Sequence, residues 1–500
     1  MEQFRKLKER IAKVLDLQSA AGVLVWDMRT YMPSGGAPGR AEQLATLQQF
    51  IHRDFTSPQV GEWITAAEEE VANLGPDSEE AAMVRAIRRK YEQETKLPTD
   101  LVERLARATS LANQKWVKAK ADSDFASFAP CLAEIVALQV EKAQALGYSE
   151  HPYDALLDLY EPQMTTRQVR ALFGELREGL VPLVRAIAES GKLVEASFIE
   201  QEYDIVTQEA FTRELLQAIG YDFQRGRQDA TAHPFTTSFS TGDVRVTNHF
   251  HPGKPTAAIF AALHEGGHAL YEQGLPASFE RTSLGHVPSL GLHESQSRLW
   301  ENVVGRSLPF WKRWLPRLAE LFPCQLAGVK LEDFHRAINR VTSSPIRIQA
   351  DEVTYNLHIM VRFELEIALI EGSLRVEDLP GAWNERMEEY LGYRPRHDAE
   401  GVLQDIHWSE GYFGYFPTYT IGNLLAVQFY HQALADEPNL AEELAQGETG
   451  GLLGWLRRRI HAEGNKYLPV ELIRRVTGGE LQAMPFLQYL RDKYSHLYQI

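Results

Sequence analysis

Among 500 residues, one short run has the types and spacing for metal-dependent hydrolysis: His264-Glu265-Gly266-Gly267-His268. Imidazoles four positions apart fall on one face of an α-helix, so both can reach a single ion. Glu265 follows the first of them and is placed to hold a water that the metal polarises. Pro255-Thr256 before the run and Gly274-Leu275-Pro276 after it mark a helix start and stop. Gly266 and Gly267 each cost that helix about 1 kcal/mol against alanine. That cost makes sense if something must approach the helix backbone closely.

A catalytic zinc takes three protein ligands and keeps one position open. The extended motif that adds a third histidine would need it at position 274, which is glycine. The alternative is a carboxylate from a later helix. Glu294, within Leu292-His293-Glu294-Ser295-Gln296-Ser297-Arg298, is separated from His268 by enough chain for a loop and a returning helix. Glu272, Glu280 and Glu301 compete with it on spacing alone.

These residues need elements to position them. Up to about residue 220 the chain reads as helix almost throughout. Apolar periodicity at Phe4, Leu7, Ile11, Val14 and Leu15 opens it, a turn-rich elbow runs from Trp26-Asp27 to Gly35-Gly36, and Thr165–Gln168 forms a capping box. The exception comes just before the motif. His233–Ser240 and Asp243–Thr247 are β-rich, with Thr241-Gly242 as a tight turn, which predicts a short hairpin whose edge strand can pair with an extended peptide. A helix over Pro288–Val304 carries Glu294. Ser344-Pro345 predicts the start of another, running to about Gly372, with serine as N-cap and proline in the first turn. Arg347 then falls in that first turn, where a cation opposes the helix dipole; this local disadvantage points to another job. Glycine- and tyrosine-rich sequence at Gly401–Gly422 interrupts the pattern before the last helices. The expectation is one mainly α unit with two lobes: a helical portion over 1–220, and 221–500 carrying the metal site.

The totals narrow the function. A hydrophobic content of 44% supports a large core, and a net charge of −16 argues against nucleic-acid binding. Any anion site must therefore be built locally. Cys131 and Cys324 are the only cysteines, too few for a disulfide framework, and a reducing cytoplasm fits them. The charged N-terminus lacks a signal peptide's apolar core, and no apolar run is long enough to span a membrane. A cytoplasmic location and no membrane partner are the expectation.

An ordered set of motifs is similar to the carboxypeptidase Taq family of zinc metallocarboxypeptidases. It comprises His233-Pro234-Phe235, Asp243-Val244-Arg245-Val246-Thr247, the His264–His268 run, His293-Glu294-Ser295-Gln296, Ile346-Arg347-Ile348-Gln349-Ala350-Asp351 and Gly401-Val402-Leu403-Gln404-Asp405-Ile406-His407-Trp408. The resemblance spans nearly the whole chain. It implies an elongated helical fold with a deep central groove and a small sheet beside the active site, similar to neurolysin-like peptidases. It also implies release of single residues from the C-termini of peptides, and a homodimer. Zinc (or cobalt in its place) would sit on His264, His268 and Glu294, with Glu265 as general base. Arg347 is the expected clamp for a free C-terminal carboxylate, because a guanidinium fork matches its two oxygens. Tyr419, then Tyr415, are candidate oxyanion donors, and His407, His233 and Arg245 candidate substrate contacts. His249 and His251 share a strand face for ordinary reasons and are not read as a second metal site. The rivals are an oligopeptidase or peptidyl-dipeptidase with the same chemistry, and a non-catalytic peptide-binding scaffold. The intact ligand set and Glu265 argue against the scaffold.

Overall fold

Regular apolar spacing in the first residues produces a long helix, Glu2–Thr30, in the computed structural model, which describes residues 1–500. It runs through Trp26-Asp27, so the elbow begins only at Tyr31. Phe4, Leu7 and Ile11 pack with Val60, Ile64, Val84 and Ile87 from the helices that follow, and with Phe279 and Leu284 from far along the chain. This small core is separate from the main one. The main core joins 102 buried side chains from Leu101 to Tyr498 and draws on both sides of residue 220. The expected mainly helical architecture with one small sheet is what the chain adopts.

The sheet is β1 (Gly226–Ala230), β2 (Thr236–Ser240) and β3 (Asp243–Asn248), in the order β1-β3-β2. The expected hairpin is present: β2 and β3 pair antiparallel, with an irregularity between Ser238 and Ser240. The third strand, β1, pairs parallel to β3. Its sequence, Gly226-Arg227-Gln228-Asp229-Ala230, has no apolar alternation to announce it. β3 is central and buries Val244 and Val246, while β2 is left as an edge.

The motif helix spans Pro255–Gly274 and lies against β2, β3 and the returning helix Leu290–Arg298. Ser289 caps the returning helix by accepting from Leu292 N at 3.1 Å. A π-helical turn, Leu299–Val304, continues it and carries Glu301. The expectation of a close approach to the motif glycines holds. A Cβ on Gly267 would sit 2.5 Å from the carbonyl oxygen of Gln296 and 2.7 Å from Ser297 Cα, so only glycine lets the two helices meet there. A third helix, Pro417–Asp436, closes in from the other side. A Cβ on its Gly422 would fall 2.5 Å from Glu294 Cγ.

One expected element is corrected. No helix begins at Ser344-Pro345; Arg347–Gln349 is a short 3₁₀ turn, and the helix runs from Tyr355 to Glu371. Distant side chains take the backbone groups that a helix would have used. Gln404 Oε1 accepts from Arg347 N at 2.8 Å, and Gln404 Nε2 donates to Pro345 O at 2.9 Å. Asp351 accepts from the backbone of Thr342, Val353 and Thr354, turning the chain into the helix that follows. The dipole argument for Arg347 therefore falls.

Candidate metal centre and active site

His264 and His268 stand one turn apart on the motif helix, their rings nearly perpendicular with centroids 4.9 Å apart. Glu294 arrives from the returning helix, with Oε2 at 3.6 Å from His264 Nε2 and 3.3 Å from His268 Nε2. The ligand atoms of all three lie within 4.8 Å of one another. Two imidazole nitrogens and one carboxylate oxygen could hold a divalent metal ion.

The surroundings fit a divalent cation. His264 Nδ1 is hydrogen-bonded to Glu301 Oε2 at 2.8 Å, which leaves Nε2 as the free lone pair. Burial holds His268 neutral, with its pKa down at about 3. Burial works against charge on Glu294, but Arg298 and the two histidines outweigh it and keep the carboxylate ionised. Arg298 Nε donates to Glu294 Oε1 at 2.7 Å and Nη1 donates to Glu301 Oε2 at 3.2 Å. Burial also opposes charge on His264, yet Glu294 and Glu301 raise its pKa. Glu294 and Glu301 thus place negative charge beside the imidazole nitrogens, with Arg298 and Arg306 balancing it from behind.

Glu265 is 7% exposed. Thr236 Oγ1, from the edge strand, donates to Glu265 Oε2 at 2.7 Å. Burial raises the Glu265 pKa, with His264 and Thr236 restraining the rise. A held carboxylate with an enhanced proton affinity is suited to general base work. The competing acids have other partners. Glu301 supports His264, Glu272 Oε1 lies 3.0 Å from His293 Nε2, and Glu280 accepts from Thr241 at the hairpin turn.

Arg347 is 6% exposed, and its partner is Asp405, not the nearby Asp351. Nε and Nη2 donate to Asp405 Oδ1 at 3.0 and 2.8 Å, and Nη1 donates to Tyr355 Oη at 3.0 Å. N–H groups remain unengaged on both terminal nitrogens. Arg362 Nε donates to the other oxygen, Asp405 Oδ2, at 2.7 Å. Two buried guanidinium groups on one carboxylate leave a net positive charge, despite the acidic chain as a whole. Arg347 also lies over the Tyr419 ring, 5.1 Å from its centroid.

Tyr415 and Tyr419 are edge to face at 5.5 Å, and Tyr415 packs the same way on Tyr160 at 5.2 Å. Burial pushes Tyr415 up to about 12 and Tyr419 well above the usual phenol range; the Glu294 carboxylate adds to both and Arg347 opposes it. The two phenols therefore sense the metal group and the arginine together, and both stay protonated. His407 Nε2 is 3.3 Å from Tyr419 Oη. Burial, with Arg347 and Arg362 nearby, lowers the His407 pKa to about 3, against the pull of Asp405.

The remaining expected residues have their own surroundings. His233 is exposed before β2. Arg245 pairs with Thr237 across the sheet, on the opposite face from Thr236; it is bonded to Asp243 and stacked 4.3 Å from the Trp26 ring. His249 Nδ1 meets Thr231 O at 3.0 Å, and His251 Nδ1 accepts from Gly253 N at 3.1 Å. A cleft of about 570 Å³ runs along β2, from Thr236 to Thr241, between the first helix at Leu15–Ser19 and the acids Glu272 and Glu280. Sequence reasoning missed Thr236, Arg298, Tyr355 and Arg362 as parts of the site. Asp405 stands inside one of the family-like motifs, but nothing local gives it a role.

A paired-histidine and glutamate group, with a buried glutamate beside it and a buried arginine linked to it through Tyr355 and Arg298, fits a metal-dependent peptide hydrolase. Comparison with known proteins gives the same answer. Residues 6–494 match the family model described as carboxypeptidase Taq (M32) metallopeptidase. Thermostable carboxypeptidase 1 of Thermus thermophilus is 46% identical, covering 99% of each chain, and carboxypeptidase 1 of Bacillus subtilis is 39% identical over 99% of this chain and 98% of its own. The crystal structure of an M32 carboxypeptidase from Deinococcus radiodurans superposes with a TM-score of 0.97 at 40% identity, covering all of both chains. The chain belongs to the carboxypeptidase Taq (M32) metallopeptidase family, and its activity is that of a metallocarboxypeptidase.

Proposed function

We propose that this carboxypeptidase releases single C-terminal residues from peptides with broad specificity, using zinc held by His264, His268 and Glu294, with cobalt able to replace it. The observation that carries the reading is Arg347, a buried cation held by Asp405 with N–H groups unengaged, and joined to Glu294 through Tyr355 and Arg298. Zinc in such a site supplies Lewis acidity, lowering the pKa of water toward neutrality and polarising a carbonyl. The chain's residues do the rest. Arg347 binds the free C-terminal carboxylate and sets which peptide bond reaches the centre. Glu265 takes the proton that the attacking water loses and delivers it to the nitrogen of the departing residue. Tyr419, or Tyr415 beside it, donates a hydrogen bond to the oxygen that becomes charged. His407, neutral, orients the Tyr419 hydroxyl.

The free cysteines, one of them exposed, suit a reducing cytoplasm, and the family resemblance supports a homodimer. Mass spectrometry over time on one peptide, with a free and with an amidated C-terminus, tests the reading. A stepwise ladder is expected from the free peptide alone. Internal fragments, or losses two residues at a time, would overturn it.

A further inference from the structure

The two ligand histidines are held in different ways. His264 is fixed through its Nδ1 by Glu301. His268 Nδ1 is buried and has no hydrogen-bond partner. The last torsion of a histidine is soft, and turning it swings Nε2 away from the point shared with His264 and Glu294. A neighbouring ring opposes that rotation. His293 lies face to face with His268, with centroids 4.4 Å apart and planes 19° apart. Tyr271 backs His293 at 5.6 Å and 21°, and His461 backs Tyr271 at 4.8 Å and 24°. The rings behind His268 are anchored at both ends. His293 Nε2 meets Glu272 Oε1 at 3.0 Å, and His461 Nε2 meets Gln296 Oε1 at 2.9 Å. The four rings come from the motif helix, the returning helix and a turn near the C-terminus, His461–Glu463.

We propose that His293 is a positioning residue for the metal: its flat face fixes the His268 ring so that Nε2 stays aimed, as the Glu301 hydrogen bond does for His264. The column is built from the chain alone, so it preorganises the site before any ion arrives. This rests on the ligand assignment proposed above.

The test uses zinc-loaded enzyme with His293→Phe, which keeps a flat ring, and His293→Leu, which fills comparable space without one. Zinc release to a chromophoric chelator is timed, and melting of the zinc-stripped proteins checks the scaffold. His293→Leu should release zinc about tenfold faster than wild type or more, and His293→Phe should stay within about threefold of it. The stripped variants should melt together. Equal release from both variants would overturn the column, placing the effect in the Glu272 bond that both lose. Wild-type release from His293→Leu would overturn it too, as would faster release accompanied by a lower melting point of that stripped variant alone. Wild-type protein that holds no stoichiometric zinc would bring down the ligand assignment, and the column with it.

Discussion

In the proposed role Glu265 must be both buried and ready to take a proton, and Thr236 reconciles the two by giving its carboxylate a fixed partner. Glu265→Gln keeps that shape but removes the base. Zinc content should be unchanged and turnover should fall by about 10²–10⁴-fold; a variant with normal rates would exclude the role. Arg347 makes a different kind of contribution. Arg347→Ala should lower kcat/KM on free C-terminal peptides by about 30-fold or more, the usual result of removing one partner of a buried charge pair. Any slow cleavage of amidated peptides should be little changed, so an equal loss on both substrates would make the arginine structural. Replacing Asp405 by asparagine leaves two buried guanidinium groups without a counter-charge. A stability loss of about 3–5 kcal/mol in denaturant titration is expected. The grouping of His264, Glu265 and His268 was legible in the sequence because their relation is local; Glu294 was legible only as one of several acids, since Glu301 lies on the same expected helix. The partner of Arg347 was not. Asp405 lies 58 residues further on, and no local rule prefers it to Asp351.

Helices and strands explain the remaining gaps between sequence and structure. Ser344-Pro345 carries sound start signals, yet Gln404 and Asp351 capture the backbone first and leave a 3₁₀ turn. β1 was hidden because its partner is parallel and its residues are polar. The motif glycines were readable as a demand for close approach, although not what approaches. At Gly267 the neighbour is backbone, which cannot rotate away. Gly267→Ala should therefore push the two ligand-bearing helices apart. A cost of about 1–3 kcal/mol in unfolding free energy, together with weaker zinc retention, is expected. Wild-type values for both would show that the helices slide past one another more freely than the packing implies.

Across the whole molecule, buried histidines set an acid limit. His407 and His461 are held down to about 3 and His335 to about 4, each mainly by burial, from an ordinary value of 6.5. At these three histidines the folded state binds fewer protons than the unfolded chain between roughly pH 6.5 and 4, which costs stability as pH drops, whereas the buried carboxyls of Glu161 and Glu366, pushed up to about 8 and about 7, act in the opposite sense. Each such histidine removes up to about 1.4 kcal/mol per pH unit of descent and each of the two carboxyls returns as much until about pH 4.5, so the melting temperature should decline below pH 6.5 and more steeply below about pH 4.5. A flat profile down to pH 4 would contradict neutral burial. The edge position of β2 has its own consequence. Its Thr236 holds Glu265, the proposed general base, and the strand borders the cleft, so a peptide laid along its edge would be gripped by its amides and not by its side chains. Tolerance of many residue identities follows from such a grip. So does a specific weakness: methylating one backbone nitrogen upstream of the cut should slow trimming more than changing any side chain there.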